Sequence, residues 1–456
     1  MKESITEIAV TFINNMIEIL TSKEDINAIE IDALREAKEC AARMIGARIE
    51  FVDAAIVFDK VARRETGYAV ERRNDARQFQ SLVGDISYKR TYFAKASGGY
   101  EYLADTALGI TERSRVSDSL SLSLVKASKD MSYGKASKHI AEGGVSRQTV
   151  MGRIRQSCAE ENPVLERRRV PELHIDADED HIKLLGGIKS EVPLISVYEG
   201  IESRGKRTFC KNIFHISEYG KTPDELWEQT LTEMERRYDL TETRIYLHGD
   251  GADWIQTCFE WIPQATFVLD KYHKNKAIML MTAGLEKEPR KQFDKAIREA
   301  LAEENLQLFD ELAQALGNEN PDRYDKIQKS AGYLKTFVDG ISICEKDAGA
   351  NNGGCTEPHV SHILSARLST RPMAWSKKTL SQLAPILASK QITLQKYLAI
   401  PSELPKFLVK SAAQANKDFL KKNRNWSAGL PHPDAIGTLP VSGKRSGTQV
   451  LLKLYS

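Results

Sequence analysis

From residue 171 onward the hydrophobic pattern switches repeatedly between a period of two and a period near 3.6, and the order of those switches constrains the fold more than any other feature. ELHIDAD reads as a strand, and HIKLLGG continues the sheet after a bend. VPLISVYEGIE and KRTFCKNIFHIS read as two further strands, joined by a turn at Ser203-Arg204-Gly205. TPDELWEQTLTEMERRY reads as a helix with Thr222 as N-cap, Pro223 at N1 and Glu225 at N3, a capping box. The strand TRIYLHGD, the helix GADWIQTCFEWI and the strand ATFVLD, ending at Asp270, complete the series.

Three successive strands, then helix, strand, helix, strand, is the order of a ribonuclease H-like core, so the fold class expected is mixed α/β. Three stretches of this region each set a carboxylate at the edge of a regular element. HIDADEDHI delivers Asp178, with Asp176 two residues earlier on the same strand face. RIYLHGDGADWI delivers Asp250, between glycines that permit a tight backbone. NNGGCTEPHVSHILSARLSTRPMAW reads as a Gly-rich loop opening a helix that carries Glu357 and then Arg367 and Arg371, about one turn apart and suited to gripping phosphate. Two aspartates and a glutamate are the donors of a two-metal phosphodiester site, because Mg²⁺ takes oxygen ligands and two such ions clamp an in-line displacement. Asp178 stands nearer the strand end, but Asp176 remains open as the first ligand. His174 and His181 flank the pair and raise the rival reading of an imidazole-rich zinc or manganese site; a second His/Cys cluster at fixed spacing is missing. Asp270 closes the last strand, and His273 follows it beside the expected site.

The rest of the chain reads as accessory to that core. Residues 1–65 have helical spacing, and 76–93 alternate as a β-hairpin with its turn at Gly84-Asp85; Lys89 and Arg90 on it are candidate DNA contacts. In SYGKASKHIAEGGVSRQTVMGRIRQ a helix meets Gly143-Gly144, and Ser146 caps a second helix bearing Arg147, Gln148 and Arg153. These are the parts of a helix-turn-helix, with a plain packing hairpin as the alternative. Residues 273–345 read as an all-α insertion, and 401–456, with nine Lys/Arg against three acids, as a basic tail able to follow a phosphate backbone. The six cysteines form no CxxC pair, which argues against a zinc ribbon or redox motif. No apolar run approaches the ~20 residues of a membrane span, and the acid-bearing N-terminus lacks a cleavable signal pattern, so a cytoplasmic protein is expected.

HIDADEDHI, LHGDGADWI, FVLDKYHKNKAI and GGCTEPHVSHILSARLSTRPMAWS, in that order, resemble the bacterial insertion-sequence transposases of the ISLre-two type, distant relatives of the Mutator-like Asp-Asp-Glu transposases. The resemblance covers nearly the whole chain. It implies a ribonuclease H-like catalytic domain with an α-helical insertion, Asp178, Asp250 and Glu357 as the triad, and Asp270 and His273 as the family's Asp/Cys-x-x-His motif. Related families often have Asp-Gly after the first strand, where this chain has Asp178-Glu179. The implied protein uses two Mg²⁺ (or Mn²⁺) ions, binds the inverted repeats of its own element and target DNA, associates with itself as at least a dimer, and works at the bacterial nucleoid. Its parts would be a helical N-terminal region with hairpin (1–110), a helix-turn-helix region (111–165), the first part of the core (166–272), the insertion (273–345), the final core helices (346–400) and the tail (401–456). A stand-alone metal nuclease and a non-enzymatic helix-turn-helix regulator are the alternatives.

Overall fold

A computed structural model describes residues 5–22, 25–159, 166–205, 207–395 and 417. The basic tail expected at 401–456 lies outside the described residues, Lys417 apart. The chain forms two compact units, Met1–Ser121 with Ile400–Ser456, and Leu122–Ala399. The division falls inside the stretch 111–165, and both helices of the expected helix-turn-helix belong to the second unit.

In the first unit the helices Ile5–Ser22 and Ile26–Phe58 precede an antiparallel hairpin, Tyr68–Ser81 with Gly84–Lys95. The hairpin turn is Leu82-Val83, and Gly84 (φ +98°) opens the second strand rather than forming the turn itself. The long helix packs Val52 and Ile56 against Phe93, and Ala42 and Ile49 against Phe79, Ile86 and Tyr88. Gly46 makes this approach possible, since a Cβ there would lie 2.5 Å from the Ser87 carbonyl oxygen. Arg90 corrects the expectation of an exposed DNA contact. Its guanidinium stacks 3.4 Å from the Tyr102 ring centroid and pairs with the buried Asp105, so it stabilises the hairpin from inside.

The second unit is built on five strands: β1 (Glu172–Lys183), β2 (Lys189–Tyr198), β3 (Phe214–Ile216), β4 (Arg244–Gly249) and β5 (Ala265–Leu269). Their order in the sheet is β3-β2-β1-β4-β5. β1, β2 and β3 are antiparallel to their neighbours, and β4 lies parallel to both β1 and β5. The expected bend after ELHIDAD is absent: β1 runs unbroken to Lys183, opposite Lys189. The stretch read as two strands after it instead makes four. β2 stops before Gly200 (φ +98°), a separate hairpin pairs Ile201–Arg204 with Arg207–Cys210, and Asn212 (φ 51°) turns the chain into β3.

Alternation along β1 divides the sheet chemically. Leu173, Ile175 and Ala177 face a core shared with Ile245, Leu247 and the helix Pro223–Arg237, which contributes Leu226, Trp227 and Met234. His174, Asp176, Asp178 and Asp180 occupy the other face. Farther along that face Ile182 and Leu184 join a second core with Val360, Leu364, Leu368 and the helix Lys377–Ala388. Burying Leu226 and Met234 contributes about 1.5–3 kcal/mol each, which commits the odd-numbered face of β1 to the core and leaves the acids on the even one. From Lys271 to Lys346 the chain is all helical, with a core of its own around Ile297, Phe309, Leu316 and Ile327. Among the described residues, no helix is long and apolar enough to cross a membrane.

Candidate active site

Three aspartates lie abreast where three parallel strands end. The register pairs Asp176 with His248 across β1 and β4, so two residues farther on Asp178 and Asp250 reach the same level. Gly249 pairs with Leu269 across β4 and β5, which brings Asp250 level with Asp270, and the Asp270 N–H donates to the Gly249 carbonyl at 2.9 Å. The parallel pairing thus gathers acids 72 and 20 residues apart in the chain, counted from 178 to 250 and from 250 to 270.

Each carboxylate is held differently. Asp178 is half-buried and accepts from the Glu179 N–H at 2.8 Å. Burial pushes its pKa up to about 7, Glu179 and Asp250 push the same way, and His273 opposes them. Asp250 accepts from the Ala252 N–H at 2.9 Å, while its carbonyl receives the Tyr333 hydroxyl at 2.7 Å from the helical segment. Gly251 (φ +87°) is required in that turn, since a Cβ there would sit 2.1 Å from the Phe337 ring. Asp270 caps the helix Lys271–Thr282, accepting from the Tyr272 N–H at 2.8 Å and the His273 N–H at 3.3 Å. Burial works against its charge, but His273, those amide contacts and Thr356 outweigh it and hold the carboxyl below its ordinary range. His273 Nδ1 lies 3.4 Å from Asp270; that carboxylate, aided by Asp178 and Asp250, raises the imidazole's pKa.

Asp176 is the contrasting case. Its two oxygens receive the Tyr198 hydroxyl at 2.9 and 3.0 Å, one also receives the Cys355 N–H at 3.0 Å, and His359 Nδ1 stands 3.1 Å away. Both oxygens are thus engaged with protein donors, whereas Asp178 has a single short backbone contact. Of the two candidates left open by the sequence, Asp178 has the geometry of the ligand and Asp176 that of an anchor for the Gly-rich loop. That loop also packs on a buried imidazole pair, His174 Nδ1 to His248 Nε2 at 3.0 Å. Burial lowers both histidines, His248 to about 4. A Cβ on Gly353 would lie 2.3 Å and 2.4 Å from these rings, so only glycine lets the loop cross them.

The anchored loop starts the helix Thr356–Val360, which continues as a π-helical turn, Ser361–Ser365, and ends with Ala366–Leu368. Thr356 lies against Asp270, and Glu357 follows it, exposed in the first turn. Among the described contacts none joins the Glu357 carboxylate to Asp178 or Asp250. Arg367 corrects the expectation of a phosphate grip. It is 4% exposed, donates to the Ser128 carbonyl at 2.7 Å, and lies 5.2 Å and 4.8 Å from the ring centroids of Tyr133 and Trp375. Arg371 is exposed. His174 and His181 fall on opposite faces of β1; His181 is exposed beside Glu191 at 3.4 Å, so the imidazole-rich site does not assemble.

The two helices of the expected helix-turn-helix are Tyr133–Ala141 and Arg147–Ile154. Ser132 and Ser146 cap them, and Glu142 and Gly143 turn between them with positive φ. Val150 and Ile154 face inward, while Arg147 and Gln148 are exposed and Arg153 donates to Gln156 at 2.8 Å. Sequence reasoning missed the Asp176 anchor, the His174–His248 pair and Tyr333. Their partners come from segments distant in the chain, so no local spacing announces them.

Residues 21–396 match the model of an uncharacterised protein family, UPF0236. The chain belongs to the UPF0236 family. A UPF0236 protein of Caldanaerobacter subterraneus subsp. tengcongensis is 34% identical over 387 residues, covering 82% of each chain. Another from that organism, whose name joins eleven loci, is 33% identical over 394 residues, 84% of this chain and 82% of the relative. A more distant member, named for the vanSb 3' region of Streptococcus gallolyticus, is 24% identical over 399 residues, 84% of this chain and 86% of the relative.

Proposed function

We propose that this UPF0236 protein is an Asp-Asp-Glu transposase, which binds the ends of its own insertion sequence, cleaves them and joins the freed 3′-OH to target DNA. One observation carries the reading: Asp178 and Asp250 side by side on adjacent parallel strands, one carboxyl pushed up to about 7 by burial and by acidic neighbours. The strand order β3-β2-β1-β4-β5, with β1 to β3 antiparallel and β4 and β5 parallel, supports a ribonuclease H-like core. The relative named for eleven loci of one genome supports a gene that multiplies within its host.

The donor set fits Mg²⁺ or Mn²⁺. It consists of hard oxygen ligands, and Asp178 is destabilised as an anion where it stands, so a cation is favoured beside it. Asp178 and Asp250 would hold two ions together with Glu357, at the start of the helix that the Asp176-anchored loop positions. Bound there, the metal lowers the pKa of water and neutralises charge on the scissile phosphate. His273, its protonated form favoured by Asp270, is suited to hold a phosphate oxygen by a charge-assisted hydrogen bond. Tyr333 and Gly251 keep Asp250 in place. Arg147, Gln148 and Arg153 present the polar side of the second helix to the terminal repeats, with Arg371 as a further backbone contact. Pairing two element ends requires at least a dimer.

The test is a plasmid carrying the element's ends, incubated with the protein, Mg²⁺ and a target plasmid. Cleavage at the ends followed by joining supports transposition. Cleavage without joining identifies a nuclease, and binding without cleavage a regulator.

A further inference from the structure

Outside the carboxylate row, a second cluster of ligating side chains is assembled at the root of the Gly-rich loop. Cys210 ends the hairpin between β2 and β3, and its sulfur lies 3.6 Å from His359 Nε2. The Cys210 thiol also donates toward the sulfur of Cys355. Cys355 and His359 are four residues apart at the start of one helical segment, so they share a face. His359 Nδ1 points the other way, 3.1 Å from the buried Asp176 carboxylate.

We propose that Cys210, Cys355 and His359 form a binding site for a thiophilic divalent cation, of which Zn²⁺ is the best match, separate from the acidic site. Three observations carry this. Zn–S of about 2.3 Å and Zn–N of about 2.0–2.1 Å at a tetrahedral angle place sulfur and nitrogen about 3.6 Å apart, which is the Cys210–His359 separation. A metal-binding histidine nearly always gives its other ring N–H to a carboxylate or carbonyl, and Asp176 is in position to receive it while being oriented in turn by Tyr198 and the Cys355 N–H. Finally, two sulfurs and a nitrogen are the ligand type that selects zinc over magnesium. A cation here ties the hairpin that ends at Cys210 to the two residues that bracket Glu357, at 355 and 359. It is a staple for the helix start, and it does not depend on the transposase reading.

The experiment uses the full-length protein, reduced and stripped of metal, titrated with Co²⁺ as a spectroscopic probe and then with Zn²⁺. The expected result is one Co²⁺ per chain with a thiolate-to-cobalt charge-transfer band and the intense visible bands of a tetrahedral centre, displaced by Zn²⁺. Cys210→Ser and Cys355→Ser should each abolish the charge-transfer intensity or weaken affinity more than tenfold. Asp178→Asn should leave the spectrum unchanged, which separates this site from the acidic one. Asp176→Asn should weaken binding about 10–100-fold, the usual loss when such a supporting carboxylate is removed. If the serine variants misfold, alkylation of the wild type decides: Zn²⁺ should protect Cys210 and Cys355 and leave the reactivity of the other four cysteines unchanged. A folded, reduced protein without a thiolate–cobalt band overturns the proposal. So does a band that survives both serine substitutions, or metal-independent protection through a Cys210–Cys355 disulfide.

Discussion

Asp178 and Asp250 stand level on neighbouring parallel strands, two residues beyond the paired Asp176 and His248. The proximity costs stability. An acid whose folded pKa is raised binds more protons folded than unfolded between the two values, so its contribution falls as pH rises through that window. For Asp178 the window runs from the ordinary 3.8 to about 7. Asp178→Asn should therefore stabilise the metal-free protein at pH 8, on the order of 1–3 kcal/mol, and have little effect at pH 4. Thermal melts in EDTA at both pH values check this. Mg²⁺ should raise the wild-type melting temperature at pH 8 and leave that of the variant nearly unmoved.

His273 works in the opposite sense. Asp270 raises its pKa, so the ion pair contributes fully below the unfolded value of about 6.5 and is lost as pH rises through the folded one. Cleavage that uses the imidazolium should decline over that same upper range. His273→Ala should lower cleavage strongly, by about 10²-fold or more, and remove that limb of the pH profile while leaving Mg²⁺ affinity near wild type. Calorimetry of Mg²⁺ binding beside a pH–rate series measures both. A large loss of metal affinity would make His273 a ligand.

Gly251 cannot carry a side chain. Its φ is +87°, and the Phe337 ring would stand 2.1 Å from any Cβ placed there. Overpacking and left-handed strain together cost roughly 2–4 kcal/mol. Gly251→Ala should lower the denaturation midpoint and displace Asp250. Adding Phe337→Ala should recover part of the cleavage activity, because it removes the clash and leaves only the backbone strain. Equal activity of the single and double variants would show that the ring is not the obstacle.

The two classes of arginine should separate cleanly. Arg367→Ala removes a buried guanidinium stacked between Tyr133 and Trp375, so it should destabilise by about 2–4 kcal/mol without a selective effect on DNA affinity in the protein that remains folded. Arg147→Ala removes an exposed side chain; stability should change by less than about 0.5 kcal/mol, while affinity for element ends falls. Urea denaturation and gel shifts at fixed salt measure both. Unchanged affinity of the Arg147 variant would reduce the helix pair to a packing hairpin.

Much of this was legible in the residues alone, because it is local. Alternation in LHIDAD determined which residues of β1 face the core and which carry the acids. Thr222, Pro223 and Glu225 determined the start of one helix, and Ser146 that of another, through capping contacts within three residues. Glycines on either side of Asp250 marked a tight turn. What only the tertiary structure decided was the partner of each charged group. Arg90 and Arg367 look like surface cations in sequence but close onto aromatic rings supplied by other elements. Asp176 and Asp178 share a strand face and differ only in what distant loops bring to them: Tyr198, Cys355 and His359 for the first, Asp250 and His273 for the second. A strand's period of two is set by its own backbone, whereas a carboxylate's role is set by burial and by the charges and donors that packing brings within a few ångströms.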